Sequence, residues 1–373
     1  MPPSTNDFEK LGAFYLGRRF NAESKQPTSE LVLYDSKDLV THALCVGMTG
    51  SGKTGLGIAV IEEAAIDSVP VIVIDPKGDL TNLALTFPNL SPDDFRPWIN
   101  EDDARRAGKD IAAFAVDQAE RWKKGLAEWG EDGARIQRLK DAAEFTVYTP
   151  GSTAGLPVSV LTSFQKPTLD DLELIRERAQ TTVSSLLTMA GVDAEPIKSR
   201  EHILLTTILL SAWQNGESPD LATLIGRIQA PPMTRIGVID LESFYPAKER
   251  FELAMTINSL IASPGFEVWT QGEPLDIGNF LRTASGKPRV SIFSIAHLDD
   301  TQRMFFVSLL LNAIAGWMRT QSGTTSLRAM VYMDEIFGYF PPTANPPSKT
   351  PLLTLLKQGR AAGVGVVLAT QNP

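Results

Sequence analysis

The stretch GMTGSGKT, at Gly47–Thr54, constrains the fold more than any other feature of this 373-residue chain. It matches the pattern G-x-x-x-x-G-K-[ST], follows the short apolar segment HALCVG and precedes the helical segment KTGLGIAVIEEAA. In such a loop, backbone N–H groups curl around phosphate oxygens, the lysine charge meets the β- and γ-phosphates, and the Ser/Thr hydroxyl binds Mg²⁺. We therefore predict binding of ATP with Mg²⁺. The residues predicted to contact the nucleotide are Gly47, Met48, Thr49, Gly50, Ser51, Gly52, Lys53, Thr54 and Gly55.

Further apolar segments indicate the strands of a sheet. VPVIVID, FTVYTPG, RVSIFSI, AMVYMDE and VGVVLAT are short, rich in β-branched residues and separated by helical segments. Strands of this near-continuous apolar kind are typical of a parallel sheet covered by helices on both faces. The alternation of strands and helices therefore predicts an α/β fold with a mainly parallel sheet and helical insertions.

Three sequence patterns predict helices between these strands. The segment from Asp300 to Arg319 is apolar almost all round, which predicts a buried helix. Thr168 with Asp171 forms a capping-box pattern before LELIRERAQTTVSSLL. Ser218 as the N-cap, followed by Pro219, predicts the start of the helix DLATLIGRI.

The composition changes between Glu101 and Glu144, where charges of both signs crowd together and β-branched residues are few. We interpret this segment as solvated helices inserted into the domain. The predicted organisation is a β-hairpin extension at residues 1–40, a nucleotide-binding core at 41–100 and 285–373, and a mostly helical insertion at 101–284 with one core strand near 145–149.

A pair of carboxylates, Asp334 and Glu335, follows the apolar strand AMVYM. If that strand ends beside the phosphate loop, Asp334 can hold the Mg²⁺ shell and Glu335 can accept a proton from attacking water. The same pair of residues also suits the cap of a helix. The presence of the phosphate loop in the same chain favours the hydrolytic interpretation.

Gln371 follows the apolar strand Val364–Ala369. If this strand lies parallel to AMVYM, the Gln371 amide arrives at the same sheet edge as the γ-phosphate and can report its presence. The alternative is an ordinary turn residue.

Arg360 ends the helix PLLTLLKQGR, which must run back down the sheet before the next strand begins. A strand of that length spans about 20 Å, so Arg360 lies at the edge opposite its own nucleotide. We predict that it acts in trans, as an arginine finger on the nucleotide of a neighbouring subunit in a ring or dimer. The alternative is a helix C-terminal arginine that offsets the helix dipole.

From about His42 to its end, the sequence resembles the HerA–FtsK group of P-loop ATPases. The resemblance is carried, in the expected order, by HALCVGMTGSGKT, VIVIDPKGDL, VYTPGS, VYMDE and KQGRAAGVGVVLATQNP. It implies a RecA-like fold of the type with an additional strand and a catalytic glutamate, and usually a hexameric ring. The roles that it implies are nucleotide ligands for Lys53 and Thr54, the magnesium residue for Asp334, the catalytic base for Glu335, the sensor for Gln371 and the arginine finger for Arg360.

This group includes DNA-pumping motors and conjugation or secretion ATPases, so the resemblance implies an ATP-hydrolysing motor that translocates or remodels DNA. An ATPase acting on protein is the near alternative, and a nucleotide-dependent switch that recruits an effector, such as a nuclease, is the third. Only about 40 residues precede the phosphate-loop strand, where HerA-like helicases carry a β-barrel that docks a nuclease. The membrane segments and DNA-reading module of FtsK-type translocases are not visible. We also expect the fold to continue with at least one more strand beyond Pro373.

The composition argues against a simple nucleic-acid-wrapping protein, because 35 basic and 44 acidic residues give a net charge of −9. A ring with basic residues in its pore is compatible with this balance. The single cysteine, Cys45, excludes an internal disulfide framework and favours a reducing compartment. The longest apolar run, MFFVSLLLNAIAGWM, is too short for a membrane span. We therefore predict a soluble, cytoplasmic protein without a stable membrane span.

Two further features leave alternatives open. Lys349, in the proline-rich segment PPTANPPSKTP, either touches a phosphate backbone or belongs to a rigid surface loop, and the second interpretation is favoured. Asp75 and Lys77 in DPKG close a strand near the nucleotide, where they orient water, contact a neighbour or shape the turn.

Overall fold

The computed structural model describes residues 10–167, 171–196 and 198–371. The strands in this part of the chain are β1 (Ala13–Asn21), β2 (Gln26–Asp35), β3 (Ala43–Val46), β4 (Val71–Asp75), β5 (Glu144–Tyr148), β6 (Val158–Ser159), β7 (Arg235–Ile236), β8 (Ile239–Asp240), β9 (Glu273–Pro274), β10 (Arg289–Ser294), β11 (Ala329–Met333) and β12 (Val364–Thr370). The α-helices are α1 (Lys53–Ile66), α2 (Pro92–Phe95), α3 (Glu101–Arg106), α4 (Ile111–Glu128), α5 (Gly133–Ala142), α6 (Leu172–Met189), α7 (Arg200–Gln214), α8 (Leu221–Gln229), α9 (Leu241–Phe244), α10 (Ala247–Ile261), α11 (Ile277–Leu281), α12 (Asp300–Arg319) and α13 (Lys349–Ala362). Single 3₁₀ turns lie at Ser36–Thr41, Asp79–Ala84, Arg96–Trp98, Leu161–Phe164 and Glu267–Thr270.

Six strands form one parallel sheet in the order β3-β12-β11-β4-β10-β5. Strand β12 lies between β3, which leads into the phosphate loop, and β11, which leads into the carboxylate pair. Its residue Val364 is opposite Ala329, and Thr370 is opposite Val46. The carboxyl ends of β3, β12, β11 and β4 therefore meet at one edge of the sheet, which is where ligands bind in parallel α/β folds. The predicted α/β fold with a parallel sheet is confirmed.

The central strands are buried on both faces. Along β4, Val71 and Val73 belong to one hydrophobic cluster, and the alternate residues Ile72 and Ile74 belong to a second one on the other face. Helix α1 contributes Ile61 to the first cluster, while α12 and α13 contribute to the second. Full burial of each such side chain stabilises the fold by about 1.5–3 kcal/mol. This double covering explains why the strands read as continuous apolar runs.

The antiparallel hairpin β1-β2 is tied to the carboxyl-terminal half of α1. The Tyr15 N–H donates to Glu63 Oε2 at 2.9 Å, and the Gly12 N–H donates to Asp67 Oδ2 at 2.8 Å. On the other side, Arg135 of α5 forms a buried ion pair with Glu63. The helix that follows the phosphate loop is thus held at its far end by the hairpin and α5. The predicted division into hairpin, core and insertion stays a prediction.

The two predicted helix starts have different outcomes. Asp220 caps α8, because its side chain accepts from the Thr223 N–H at 2.7 Å. The prediction of Ser218 as the cap is wrong, since its hydroxyl accepts from the Lys166 N–H at 3.0 Å instead. Thr168 lies outside the described residues, so the predicted capping box stays untested.

Helix α12 has the predicted bounds and is mostly buried, with eleven of its residues in the interior. It packs against α6 and α13 in the same hydrophobic cluster as the central strands, where Phe305, Phe306 and Leu310 have no exposed surface. Within the described part of the chain, no helix is long and apolar enough to cross a membrane.

Candidate nucleotide-binding site

The phosphate loop lies between β3 and α1 and needs glycine at three positions. Gly50 and Gly52 have φ values of 81° and 88°, in the left-handed region that other residues rarely adopt. A Cβ atom at Gly47 would collide with the Ser51 hydroxyl, which the loop folds back over it. The other residues predicted to contact the nucleotide lie in the same region. Met48, Thr49 and Ser51 are in the loop, and Lys53, Thr54 and Gly55 are in the first turn of α1.

Helix α1 begins with an open amino terminus. Its N-cap is Gly52, which has no side chain to accept from the first N–H groups. Those groups and the positive end of the helix dipole are available to an anion. The Lys53 side chain is only 6% exposed, and its ammonium has no hydrogen-bond partner among the described residues. A buried ammonium with no hydrogen-bond partner and only a long contact to a carboxylate, Glu335 at 3.9 Å, fits the phosphates of a nucleotide, because a buried charge that is weakly paired is costly.

Asp334 directly follows β11 and is the most buried carboxylate at this edge after Asp75. Its backbone N–H donates to the Ile74 carbonyl at 3.1 Å, which fixes the residue against the end of β4. Neither carboxylate oxygen has a hydrogen-bond partner in the described part of the chain. Two orphaned, inward-facing oxygens beside the phosphate loop suit a hard divalent cation such as Mg²⁺. Burial chiefly raises the pKa of the Cys45 thiol, and the charges of both Lys53 and Asp334 also act on it, so both residues lie in the surroundings of β3.

Glu335 adopts a left-handed backbone conformation with φ of 47°, which is unusual for a glutamate. Its Oε2 lies 3.0 Å from the Lys77 ammonium and 3.9 Å from that of Lys53. Its Oε1 accepts from the Thr370 hydroxyl at 3.2 Å and, more weakly, from the Gln371 N–H at 3.5 Å. Burial raises the pKa of this carboxyl, but the hydrogen bond and charge of Lys77, together with the Gln371 N–H and the Lys53 charge, hold the pKa below its usual range.

Gln371 reaches the phosphate loop, as the strand directions predicted. Strands β12 and β11 are parallel, and the Thr370 carbonyl accepts from the Gly47 N–H at 3.2 Å. The Thr49 hydroxyl donates to the Gln371 side-chain oxygen at 3.3 Å. The amide therefore lies against the loop that would carry the phosphates, while its role as a sensor stays a prediction.

Arg360 lies at the opposite edge of the sheet. It is exposed in the last turn of α13, and its carbonyl accepts from the N–H of Gly363, the left-handed residue that ends the helix. Strand β12 then runs seven residues to the nucleotide edge, which is the sheet edge that holds the phosphate loop, over a distance of about 20 Å. The side chain cannot reach the phosphate loop of its own chain. Its action in trans stays a prediction.

Sequence reasoning left Asp75 and Lys77 undecided, and the structure separates them. Asp75 is fully buried and accepts from the N–H groups of Lys77, Gly78 and Leu80 at 3.2, 2.8 and 2.9 Å, so it shapes the turn after β4. Burial raises its pKa, while those hydrogen bonds act in the opposite direction. Lys77 instead contacts Glu335. The sequence showed that Lys77 follows a strand. It did not show that β4 lies next to β11, which brings Lys77 to Glu335.

The Lys349 ammonium donates to the carbonyls of Pro341, Pro342 and Ala344 at 2.7, 3.2 and 2.9 Å. It closes the proline-rich loop onto the start of α13. This arrangement supports the favoured interpretation of a rigid loop over a lysine that faces a phosphate backbone.

Residues 16–131 match the family model described as "Helicase HerA, central domain". The match contains the phosphate loop, α1 and the DPKG turn, and it confirms the predicted resemblance to P-loop ATPases of the HerA/FtsK type. No curated protein sequence matches the chain.

Among solved structures, the chain is similar to VirB4 of Thermoanaerobacter pseudethanolicus, with a TM-score of 0.53 and 10% identity over 98% of this chain and 78% of that one. This likeness confirms the RecA-like fold. The unbound bacterial conjugative coupling protein TrwB is similar at a TM-score of 0.49 and 14% identity, over 99% of this chain and 68% of that one. A complex of TrwB with ADP and Mg²⁺ is similar at a TM-score of 0.45 and 12% identity, over 99% and 71% of the two chains.

Proposed function

Since the chain has the fold and motifs of a HerA/FtsK-type P-loop ATPase, we propose that it is an ATP-driven motor that assembles as a ring and translocates or remodels DNA. The observation that carries the proposal is the presence, at one sheet edge, of two buried charges of opposite sign that lack hydrogen bonds. The buried Lys53 ammonium and the buried Asp334 carboxylate have no hydrogen-bond partners among the described residues, and each matches one part of a Mg²⁺–nucleotide complex.

The residues at this edge have separate roles in hydrolysis. The loop N–H groups and Lys53 bind the phosphates, while Thr54 and Asp334 would hold Mg²⁺, which would neutralise charge on the phosphate oxygens. Glu335 accepts a proton from the attacking water as its oxygen bonds to the γ-phosphorus and the bond to the β-phosphate oxygen breaks. Gln371, next to Thr49 in the loop, senses the γ-phosphate.

Subunit contact follows from the position of Arg360. The arginine is exposed at the edge opposite its own phosphate loop, so it completes a site only on another copy of the chain. An arginine finger supplied in trans makes hydrolysis depend on assembly. A closed ring, hexameric as is usual in the resembled group, satisfies this head-to-tail arrangement in every subunit.

An ATPase that acts on protein, as in conjugation or secretion, is the second candidate. The engaged Lys349 ammonium and the net charge of −9 favour it, because both reduce the positive surface available to a phosphate backbone. A nuclease or other effector protein remains a proposed partner of either motor.

The test is the ATPase rate measured across protein concentration, with and without double-stranded DNA, beside Lys53→Ala as the inactive control. A DNA motor that works as a ring gives a rate that rises steeply with concentration and rises again with DNA. A rate that depends on concentration but not on DNA favours the protein-directed ATPase. A rate equal to that of Lys53→Ala under all conditions contradicts the ATPase proposal.

A further inference from the structure

We propose that Lys77 is a specificity-determining residue that recognises the terminal phosphate of ATP, exchanging its ion pair with Glu335 for one with the γ-phosphate. The proposal rests on the proposed function, because it assumes that the phosphate loop binds ATP. It adds a second cation, from the turn after β4, to the phosphate-binding Lys53 at the start of α1.

The geometry of one carboxylate oxygen carries the inference. Glu335 Oε2 lies 3.0 Å from the Lys77 ammonium and 3.9 Å from the Lys53 ammonium. Two cations from separate parts of the chain thus converge on one anionic oxygen. Lys53 has no hydrogen-bond partner among the described residues, so Glu335 is the nearest anion to the phosphate-binding lysine. An anion that arrives at Lys53 arrives beside Lys77 as well.

The turn that carries Lys77 holds its backbone in place. Asp75 accepts from the Lys77 and Gly78 N–H groups, and Gly78 has a φ of 82° that favours glycine. The sheet order places this turn next to the end of β11, where Asp334 and Glu335 begin. The DPKG turn is therefore a rigid support for a lysine aimed at the nucleotide edge. A turn alone would need Asp75 and Gly78 but not a lysine between them.

Exposure makes the exchange of partners feasible. The Lys77 side chain is 35% exposed, against 6% for Lys53, so its ammonium can move between two anions without leaving water. A partly exposed ion pair with a carboxylate is weak, whereas the terminal phosphate of ATP carries up to two negative charges over three strong acceptor oxygens. When the Lys77 ammonium moves to the γ-phosphate, Glu335 Oε2 becomes free to accept a hydrogen bond from a water molecule. Recognition of the γ-phosphate would thus also free the carboxylate of the proposed base.

The discriminating measurement is the ratio of two affinities. Dissociation constants for ADP and for the non-hydrolysable analogue AMP-PNP are measured by calorimetry, in saturating Mg²⁺, for the wild type and Lys77→Met. We expect the preference for AMP-PNP over ADP to fall about tenfold in Lys77→Met, the value of one charge-assisted hydrogen bond. Affinity for ADP should stay within about twofold, because ADP lacks the group that Lys77 recognises.

Two variants serve as controls. Lys77→Arg keeps a cation and should retain most of the preference. Lys37→Met removes a lysine from another lysine–carboxylate pair, with Asp35 at 2.7 Å on the surface, and should leave the ratio unchanged. Thermal unfolding of each variant shows whether the fold is intact.

An unchanged ratio in Lys77→Met overturns the inference, even if turnover falls, because Lys77 would then act on Glu335 alone. Equal weakening of ADP and AMP-PNP also overturns it. If the wild type binds neither nucleotide and behaves like Lys53→Ala, the proposed function fails, and the inference fails with it.

Discussion

Gly57, one turn into α1, is predicted to set the spacing between the phosphate-loop helix and the carboxylate strand. An added Cβ at this position would lie 2.6 Å from Tyr332 Cζ and 2.9 Å from Cε2, and closer still to the hydroxyl. Tyr332 is in β11, two residues before Asp334, and has no exposed surface into which its ring could move. Gly57→Ala must therefore push α1 away from β11.

The magnitude follows from two opposing effects. Overpacking a filled core costs about 1–3 kcal/mol. Alanine in place of glycine within a helix returns about 0.5–1 kcal/mol. We expect Gly57→Ala to lower the free energy of unfolding by about 1–2 kcal/mol, since the clash outweighs the gain in helix propensity.

Tyr332→Phe provides the matched rescue. Its hydroxyl is buried without a hydrogen-bond partner among the described residues, so its removal should stabilise the protein by about 1 kcal/mol. It also removes the atom closest to the added Cβ, so Gly57→Ala should cost about 1 kcal/mol less in this background. Both values come from urea unfolding of the single and double variants. Stabilisation by Gly57→Ala, or destabilisation by Tyr332→Phe of 1 kcal/mol or more, would refute the reasoning.

Three further changes test the site and its support. Glu335→Gln should bind ATP but hydrolyse it about 100-fold more slowly or worse, because the proton acceptor is lost; near-normal single-turnover rates would contradict this role. Arg360→Ala should lower turnover while leaving nucleotide affinity unchanged, and mixing it with Lys53→Ala should restore part of the rate through mixed interfaces; no recovery would argue against action in trans. Arg135→Met should destabilise the fold by about 1–3 kcal/mol in urea unfolding, since Glu63 keeps the Tyr15 N–H but loses its cationic partner, and burial, which raises its pKa to about 8, lets it take up a proton. Adding Glu63→Gln should recover most of that loss, and an equally unstable double variant would contradict a role for the uncompensated charge.

Much of the nucleotide edge was predictable because its parts are local in sequence. The phosphate loop is eight consecutive residues whose conformation depends on its own glycines. The chemistry of Asp334 and Glu335 depends on a strand directly before them. The distance of Arg360 from the phosphate loop was also predictable, because it follows from the helix that ends near Arg360 and the strand that begins after it. Local patterns failed where a residue distant in sequence supplied the hydrogen bond. The Ser218 hydroxyl accepts from the Lys166 N–H, and Asp220 caps α8 instead.

The α/β fold, the expected class of ligand and the residues expected to contact the phosphates could be predicted from the sequence, because each depends on neighbours along the chain. The strand order could not be predicted in this way. That order inserts β12 between β3 and β11 and places β4 beside the carboxylates. It brings Lys77 to Glu335 across 258 positions and leaves Asp334 without a partner among the described residues. Such pairings depend on which strands become neighbours. The order of the strands depends on packing of the whole core and not on any local pattern.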